Sequence, residues 1–320
     1  MEHLQARQPR KISQPVSAAV AEAIRKNLAR NPGVYGESKM RNKISLLVSV
    51  FILFGICSGW AATVAGDSRN EAPVQITSSI SAVIKHITRK IPPPKLARKE
   101  TIAANVDIHF PELSCQTGVS VVVNAINKAI QSRLLKILDG KHPETVEQLI
   151  ETFGSDYEKS TKVTPEMPGA WLLKFAATIS YHDEDLFCLK ILQSVFTGGA
   201  HPTSHLSYLV FSIKTGKLYG LTDLINKENF AKLTKVAENH FRRLRNMKPE
   251  ETYENAGYWF KNNLFSLNRN FLISKDGMSF CFNQCEIAPY SKGIIEFNIP
   301  WSDLKSIVDS NGPGGKFLKE

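Results

Sequence analysis

Ile44–Gly66, ISLLVSVFILFGICSGWAATVAG, runs for 23 residues without one charged side chain. At about 1.5 Å rise per residue, a helix of that length crosses a hydrocarbon core about 30 Å thick. Lys39, Arg41 and Lys43 stand directly before it and Asp67 directly after. By the positive-inside rule, residues 1–43 stay in the cytoplasm and everything after residue 66 lies outside it. A second reading starts at Met40. It gives a short basic region, an apolar core and Thr63-Val64-Ala65, whose small residues suit a signal-peptidase site, and residues 1–39 then precede the true start. Cys57 follows Ile56, which does not suit a lipoprotein signal. Retained anchor and cleaved signal both stand, and both predict an exported protein, periplasmic or in the cell envelope.

That segment also explains the charge. The 320-residue chain carries a net charge of +10. Residues 1–43 hold nine Lys/Arg against three acids, so +6 of the +10 sits before the apolar run. A basic tail can bind nucleic acid. Here an orientation signal accounts for it, and no nucleic-acid partner is expected. With 42% apolar residues the chain is neither globally disordered nor a multi-span transporter. Five cysteines without a CxxC pair exclude a disulfide scaffold and a zinc module.

The expected fold is α+β: two small subdomains with antiparallel sheets and packed helices, preceded by one N-terminal transmembrane or signal helix. Residues 1–43 read as a disordered basic segment, 44–66 as the apolar helix and 67–98 as a linker. Within that linker Ile76–Ile87 suits a short helix, and Pro92-Pro93-Pro94 ends whatever precedes it. Residues 99–197 form the first subdomain. Thr101–His109 is a strand ended by Pro111. Val119–Leu138 is a helix, with Val122, Ile126, Ile130 and Leu134 on one face, and His142–Tyr157 is a second. Trp171–Tyr181 and Leu186–Phe196 pair as a hairpin through His182-Asp183-Glu184-Asp185.

Residues 198–310 form the second subdomain. It opens on a strand at Leu206–Ile213, followed by helices at Lys227–Arg245 and Glu250–Leu264. Strands follow at Asn270–Ser274, Met278–Asn283 and Gly293–Ile299, the first two joined by Lys275-Asp276-Gly277. A short helix starts after Trp301, and residues 311–320 read as a flexible tail. Blocks of strands and helices, without single alternation, favour α+β over a doubly wound sheet.

The order of motifs in this half is specific. Thr197-Gly198-Gly199-Ala200-His201-Pro202 precedes a strand, then come Gly216 in Lys214–Lys217 and Asp223 in Leu221–Leu224. Glu286-Ile287-Ala288-Pro289-Tyr290 leads to Gly293, and Ile299-Pro300-Trp301-Ser302-Asp303-Leu304 closes the set. This order resembles the paired domains of unknown function in the anti-sigma factor RsiV and in the non-catalytic part of the peptidoglycan deacetylase PdaC. The resemblance spans about residues 99–310. It implies an extracytoplasmic module that recognises a lysozyme-like protein or peptidoglycan. No HxxxCxxC pattern marks the basic tail, and no deacetylase domain follows residue 310. Cys281 and Cys285 stand where the family more often has aromatics.

Residue by residue, Gly198, Gly199 and Pro202 read as a structural loop, and so do Gly216, Asp223, Pro289, Gly293 and Pro300. His201, Glu286, Tyr290, Tyr253 and Trp259 are the candidate ligand contacts. Glu286 also suits a hydrogen-bonded turn, and the aromatics on a helix also suit a core. His201 and His205 have HxxxH spacing, but Pro202 and the strand-like run after it argue against the helix that would align them on a metal. No metal or cofactor is expected. Asp183–Asp185 reads as a solvated turn and as the acidic patch a basic protein ligand would need. Cys115, Cys188, Cys281 and Cys285 permit two disulfides. A turn at Asn283-Gln284 would join Cys281 to Cys285, leaving Cys115 for Cys188, and free thiols are the alternative. There is no GxSxG, P-loop or GxGxxG. A non-enzymatic recognition domain is therefore expected. The alternatives are a cell-wall glycan hydrolase or deacetylase, and a single-pass sensor with a cytoplasmic partner.

Overall fold

A computed structural model describes residues 68–70, 72–95, 97, 101–116, 118, 120–163 and 170–319. The predicted basic segment and the apolar run Ile44–Gly66 lie outside them. Among the described residues no helix is long and apolar enough to cross a membrane.

The strands are β1 (Ser68–Asn70), β2 (Val74–Gln75), β3 (Ile80–Ile91), β4 (Ala104–Cys115), β5 (Leu172–His182), β6 (Leu186–Phe196), β7 (Thr203–Ser212), β8 (Phe271–Ser274), β9 (Gly277–Phe282) and β10 (Ile295–Pro300). The helices among the described residues are α1 (Ser120–Leu135), α2 (Val146–Val163), α3 (Phe230–Leu244) and the short α4 (Trp301–Leu304). A seven-stranded sheet has the order β1-β3-β4-β5-β6-β7, with β2 also on β3, and a three-stranded sheet has the order β10-β9-β8. The architecture is α+β, and every strand pair but one is antiparallel. The exception is β4 with β5, which run parallel because α1 and α2 lie between them and carry the chain back.

The sequence explains where the two cores lie. On α1 the buried residues are Val122, Val123, Ile126, Ile130 and Leu134, and on α2 they are Leu149, Phe153 and Tyr157. They meet Ile108, Phe175, Leu189, Leu209 and Phe211 on one face of the large sheet. The other face of β6 and β7 gives Leu186, Cys188, Leu206, Tyr208 and Val210 to a second core, with Leu233 and Phe241 of α3 and the small sheet. These two strands are buried on both faces, which is why they read as near-continuous apolar runs. The expected division at residue 198 therefore falls inside a shared wall, since β7 pairs with β6 in the first sheet and packs in both cores.

Four expectations are corrected, the last of them at the C-terminus. Residues 80–91 are not linker or helix but a twelve-residue strand paired with β4 along its whole length. Ile80, Val83, Ile84, Ile87, Thr88 and Ile91 are β-branched, and such side chains favour a pleated surface. Pro111 does not end β4. Beyond His109 strand β5 no longer pairs with β4, and there Asn127 of α1 bonds Leu113, accepting its N–H and donating to its C=O, both at 2.9 Å. Pro111 shares Leu113's orientation along the strand, so its missing N–H faces that open edge and interrupts no ladder. The stretch 250–264 is a series of turns, not a helix, because Gly257, Asn262 and Asn263 all adopt positive φ.

The C-terminal residues are not a loose tail. Gly315–Leu318 forms a 3₁₀ turn, and Phe317 stacks on Trp301 with ring centroids 4.8 Å apart and planes 8° apart. Lys316 reaches Asp183 at 2.5 Å and Asp185 at 3.1 Å.

Candidate functional site

β7 is an edge strand, and its open backbone groups are taken by side chains from the second core. Asn283, just after β9, accepts the Leu206 N–H at 2.6 Å and donates to the Leu206 C=O at 3.0 Å. Asn270, just before β8, accepts the Tyr208 N–H at 2.9 Å and donates to the Leu206 C=O at 2.8 Å. Further along, the Tyr219 N–H bonds the Val210 carbonyl and the Ser212 N–H bonds the Lys217 carbonyl. An edge so covered offers no template for another strand.

This junction brings the two signature loops together. The ring of His201 stacks on that of Tyr290, with centroids 4.5 Å apart and planes 16° apart. The Tyr290 hydroxyl donates to the Pro202 carbonyl at 3.0 Å. Gly198 and Gly199 lie at φ +93° and +98°, the left-handed region in which an added Cβ is strained, so the turn before His201 calls for glycine. Nearby, Trp259 is half exposed, and its indole N–H donates to the Glu286 carbonyl at 3.1 Å. Glu286 is a turn carboxylate. Its oxygens accept the Asn283 N–H and the Asn268 amide, both at 2.8 Å.

Of the five candidate contacts, His201, Glu286, Tyr290 and Trp259 gather at this end of the molecule. Tyr253 does not. It is 3% exposed, packs against Phe241 and Phe260, and donates to Glu238 at 2.7 Å. Burial first, and that bond second, push its hydroxyl up to about 12. Of the remaining motif residues, Gly216 turns against Ala125 of α1 and Asp223 pairs with Lys217 at 2.5 Å. Pro289 caps the 3₁₀ turn Tyr290–Lys292 that Gly293 closes, and Pro300 ends β10.

Between the loop and the helices opens a cleft of about 770 Å³. Thr197 and Thr203, on either side of the Gly198–Pro202 loop, line it. Ile137, Leu138 and Val195 form its accessible apolar part, with buried Phe153 of α2 and Trp171 beneath, while Lys136, Gln193 and His205 are among its polar residues. Lys141 and Asp156, also in the lining, are paired to each other at 3.2 Å. Desolvation, then the Arg133 charge, hold the His205 imidazole below its usual range, with Glu286 opposing. His205 therefore stays neutral to lower pH, able both to donate and to accept a hydrogen bond. The cleft was not legible in sequence. Its walls come from the turn after α1, from α2, β6 and β7, and only Thr197 and His205 belonged to motifs.

The remaining site expectations resolve as follows. His205 lies on an extended strand, so it shares no helix face with His201. No group of three metal-ligating side chains occurs among the described residues. The four cysteines among the described residues are free. Cys188 faces the second core, while Cys115 packs against the first, on the other side of the sheet. Cys281 is buried in β9, while Cys285 is exposed at φ +61°. Asp183 and Asp185 are not a free acidic patch: Lys316 bridges them and Lys214 pairs with Asp185.

The fold and this cleft define an α+β module with a pinned signature loop. Residues 222–302 match a family model described as a protein of unknown function, DUF3298. The structure is similar to the crystal structure of a DUF3298 family member from Bacteroides fragilis, with a TM-score of 0.62 at 17% identity, over 80% of this chain and 100% of that one. It is also similar to a DUF3298 family protein from Pseudomonas aeruginosa, with a TM-score of 0.54 at 15% identity, over 71% of this chain and 94% of that one. At such identities the likeness is one of fold. No curated protein matches the sequence.

Proposed function

We propose that the folded part of this protein is a non-enzymatic recognition module of the cell envelope, and that its ligand is a cell-wall glycan seated in the cleft beside His205. The observation that carries the reading is the cleft itself. Its volume of about 770 Å³ lies within the usual range of ligand sites, about 300–1,000 Å³. Half-buried Ile137, Leu138 and Val195 stand among hydrogen-bonding Gln193, Thr203 and His205, a mixture that suits a polyhydroxyl ligand with hydrophobic faces.

The likeness of the motifs to the modules of RsiV and PdaC offers two ligands, a lysozyme-like protein and peptidoglycan. Pairing of Asp183 and Asp185 with lysines removes the acidic patch a basic protein would need, which favours the glycan. The exported location rests on Ile44–Gly66, which would also anchor the protein if retained.

Co-sedimentation of the full chain with purified peptidoglycan, alongside capture on immobilised lysozyme, tests the reading. Retention on peptidoglycan is expected, weakened at least about tenfold by Thr203→Trp, which fills the cleft. Retention on lysozyme alone would assign the other ligand and overturn the reading.

A further inference from the structure

Two arginines share one pocket at the edge of β7 and meet no carboxylate in it. The pocket, about 180 Å³, lies between Tyr208–Val210 of β7, the loop Leu218–Thr222 and Phe271 of β8. Its only charged lining residues are Arg133, in the last turn of α1, and Arg269, at the corner before β8. Among the described residues neither guanidinium forms an ion pair. The nearby Asp223 is engaged elsewhere, paired with Lys217 and accepting the Gly220 N–H at 2.8 Å.

Both arginines are anchored through the backbone while their side chains are exposed. The Arg133 carbonyl accepts the Gln193 amide at 2.9 Å, and buried Leu134 follows it. Arg269 is held between Asn268, which donates to the Cys281 carbonyl, and Asn270, which is bonded to β7. The charge of Arg133 also reaches His205 in the neighbouring cleft, where the Glu286 carboxylate opposes it.

Two like charges lining one concavity repel each other unless an anion lies between them. A guanidinium fork matches a pair of oxygens bidentately, and Thr222 adds a hydroxyl to the lining. The volume equals about six waters at roughly 30 Å³ each, enough for one oxyanion group.

We propose that Arg133 and Arg269 form an oxyanion site that binds a carboxylate or phosphate group. The site is separate from the glycan cleft, and its binding does not depend on that reading.

The test is calorimetric titration of the full chain with inorganic phosphate at fixed ionic strength, repeated with acetate. Arg133→Gln, Arg269→Gln and Lys136→Gln are compared. Lys136 lines the cleft instead, so it controls for loss of general positive charge. Saturable phosphate or acetate binding is expected, weakened at least about tenfold by either arginine substitution and unchanged by Lys136→Gln. Arg269→Lys keeps the charge without the fork and is expected to fall between. The ion that binds more tightly names the group the site prefers. If an arginine variant fails to fold, protection of Arg133 and Arg269 in the native chain from phenylglyoxal by phosphate, read by peptide mass, gives the answer. Absence of saturable binding and of protection, or equal weakening by Lys136→Gln, overturns the proposal.

Discussion

The rings of His201 and Tyr290 lie stacked at 4.5 Å, and through that contact the Gly198–Pro202 loop is fixed to the second core. The Tyr290 hydroxyl adds a bond to the Pro202 carbonyl, so one side chain holds the loop in two ways. That loop rims the cleft, which ties a sequence motif to a candidate binding surface.

Tyr290→Phe removes the hydroxyl bond and keeps the ring contact, whereas Tyr290→Ala removes both. The first should cost about 1 kcal/mol in global stability. The second should in addition raise amide exchange across residues 198–203 relative to Tyr290→Phe. Hydrogen exchange read by mass spectrometry on the two variants checks this, and identical profiles would contradict it.

Asn270→Ala and Asn283→Ala should each lower stability by about 2 kcal/mol, since each strips hydrogen bonds from the partly buried edge of β7. Bared edges pair with other chains. Both variants should therefore aggregate faster than wild type at equal concentration, which light scattering measures. Asn105→Ala, whose side chain bonds only the Ala103 carbonyl in an exposed position, is the neutral comparison.

Much of the fold was legible locally, and these asparagines show what was not. The β5–β6 hairpin followed from two apolar runs around an acidic turn, and α1 from its row of Val122, Ile126, Ile130 and Leu134. The β8–β9 hairpin followed from Lys275-Asp276-Gly277. β3 was missed because its buried positions show no clean alternation, and its β-branched composition alone does not separate a strand from a short helix until its partner is known. Asn127, Asn270 and Asn283 act on strands distant in sequence, and no local pattern marks such a role. A flanking signal did exist for two of them, since Asn270 and Asn283 bracket the apolar β8–β9 hairpin. Tyr253 and Trp259 carried the same aromatic signal, and only packing around Phe241 separates the buried ring from the exposed one.

Acid should loosen the C-terminal clasp. Burial works to raise the Asp183 carboxyl, but Lys316, Tyr181 and the backbone N–H groups of Asp185 and Leu186 together hold it below its ordinary value. Bonds to Lys214, then to Lys316, lower Asp185 as well. A lowered carboxyl stabilises the fold above its unfolded pKa of about 3.9, and that contribution is lost as pH falls through the folded value. The urea midpoint of wild type should therefore drop below about pH 4. Lys316→Ala should start lower at pH 7 and drop less steeply. Parallel curves for the two proteins would contradict the account.

Phe317→Ala removes a ring stacked on Trp301 and should cost about 3 kcal/mol, measured by urea unfolding at pH 7. Gly315→Ala should also destabilise, because an added Cβ would stand 2.0 Å from the Ser310 carbonyl oxygen. A flexible tail would leave both variants unchanged.

Thiol labelling separates the cysteines. Burial first, then neighbouring carboxylates, push the Cys188 and Cys281 thiols up to about 12, so neither offers thiolate at neutral pH. Exposed Cys285 should react with iodoacetamide in the native protein, while Cys188 and Cys281 should react only in denaturant. Failure of Cys281 and Cys285 to label even in denaturant without reductant would reveal the disulfide absent here.

The central claim is that the cleft beside the pinned loop binds a cell-wall glycan, and calorimetric titration with soluble peptidoglycan fragments tests it most directly. The account predicts one saturable site per chain, weakened at least about tenfold by Thr203→Trp and unaffected by Arg269→Gln on the neighbouring pocket. Binding of equal strength in wild type and Thr203→Trp, or no binding in either, would contradict it.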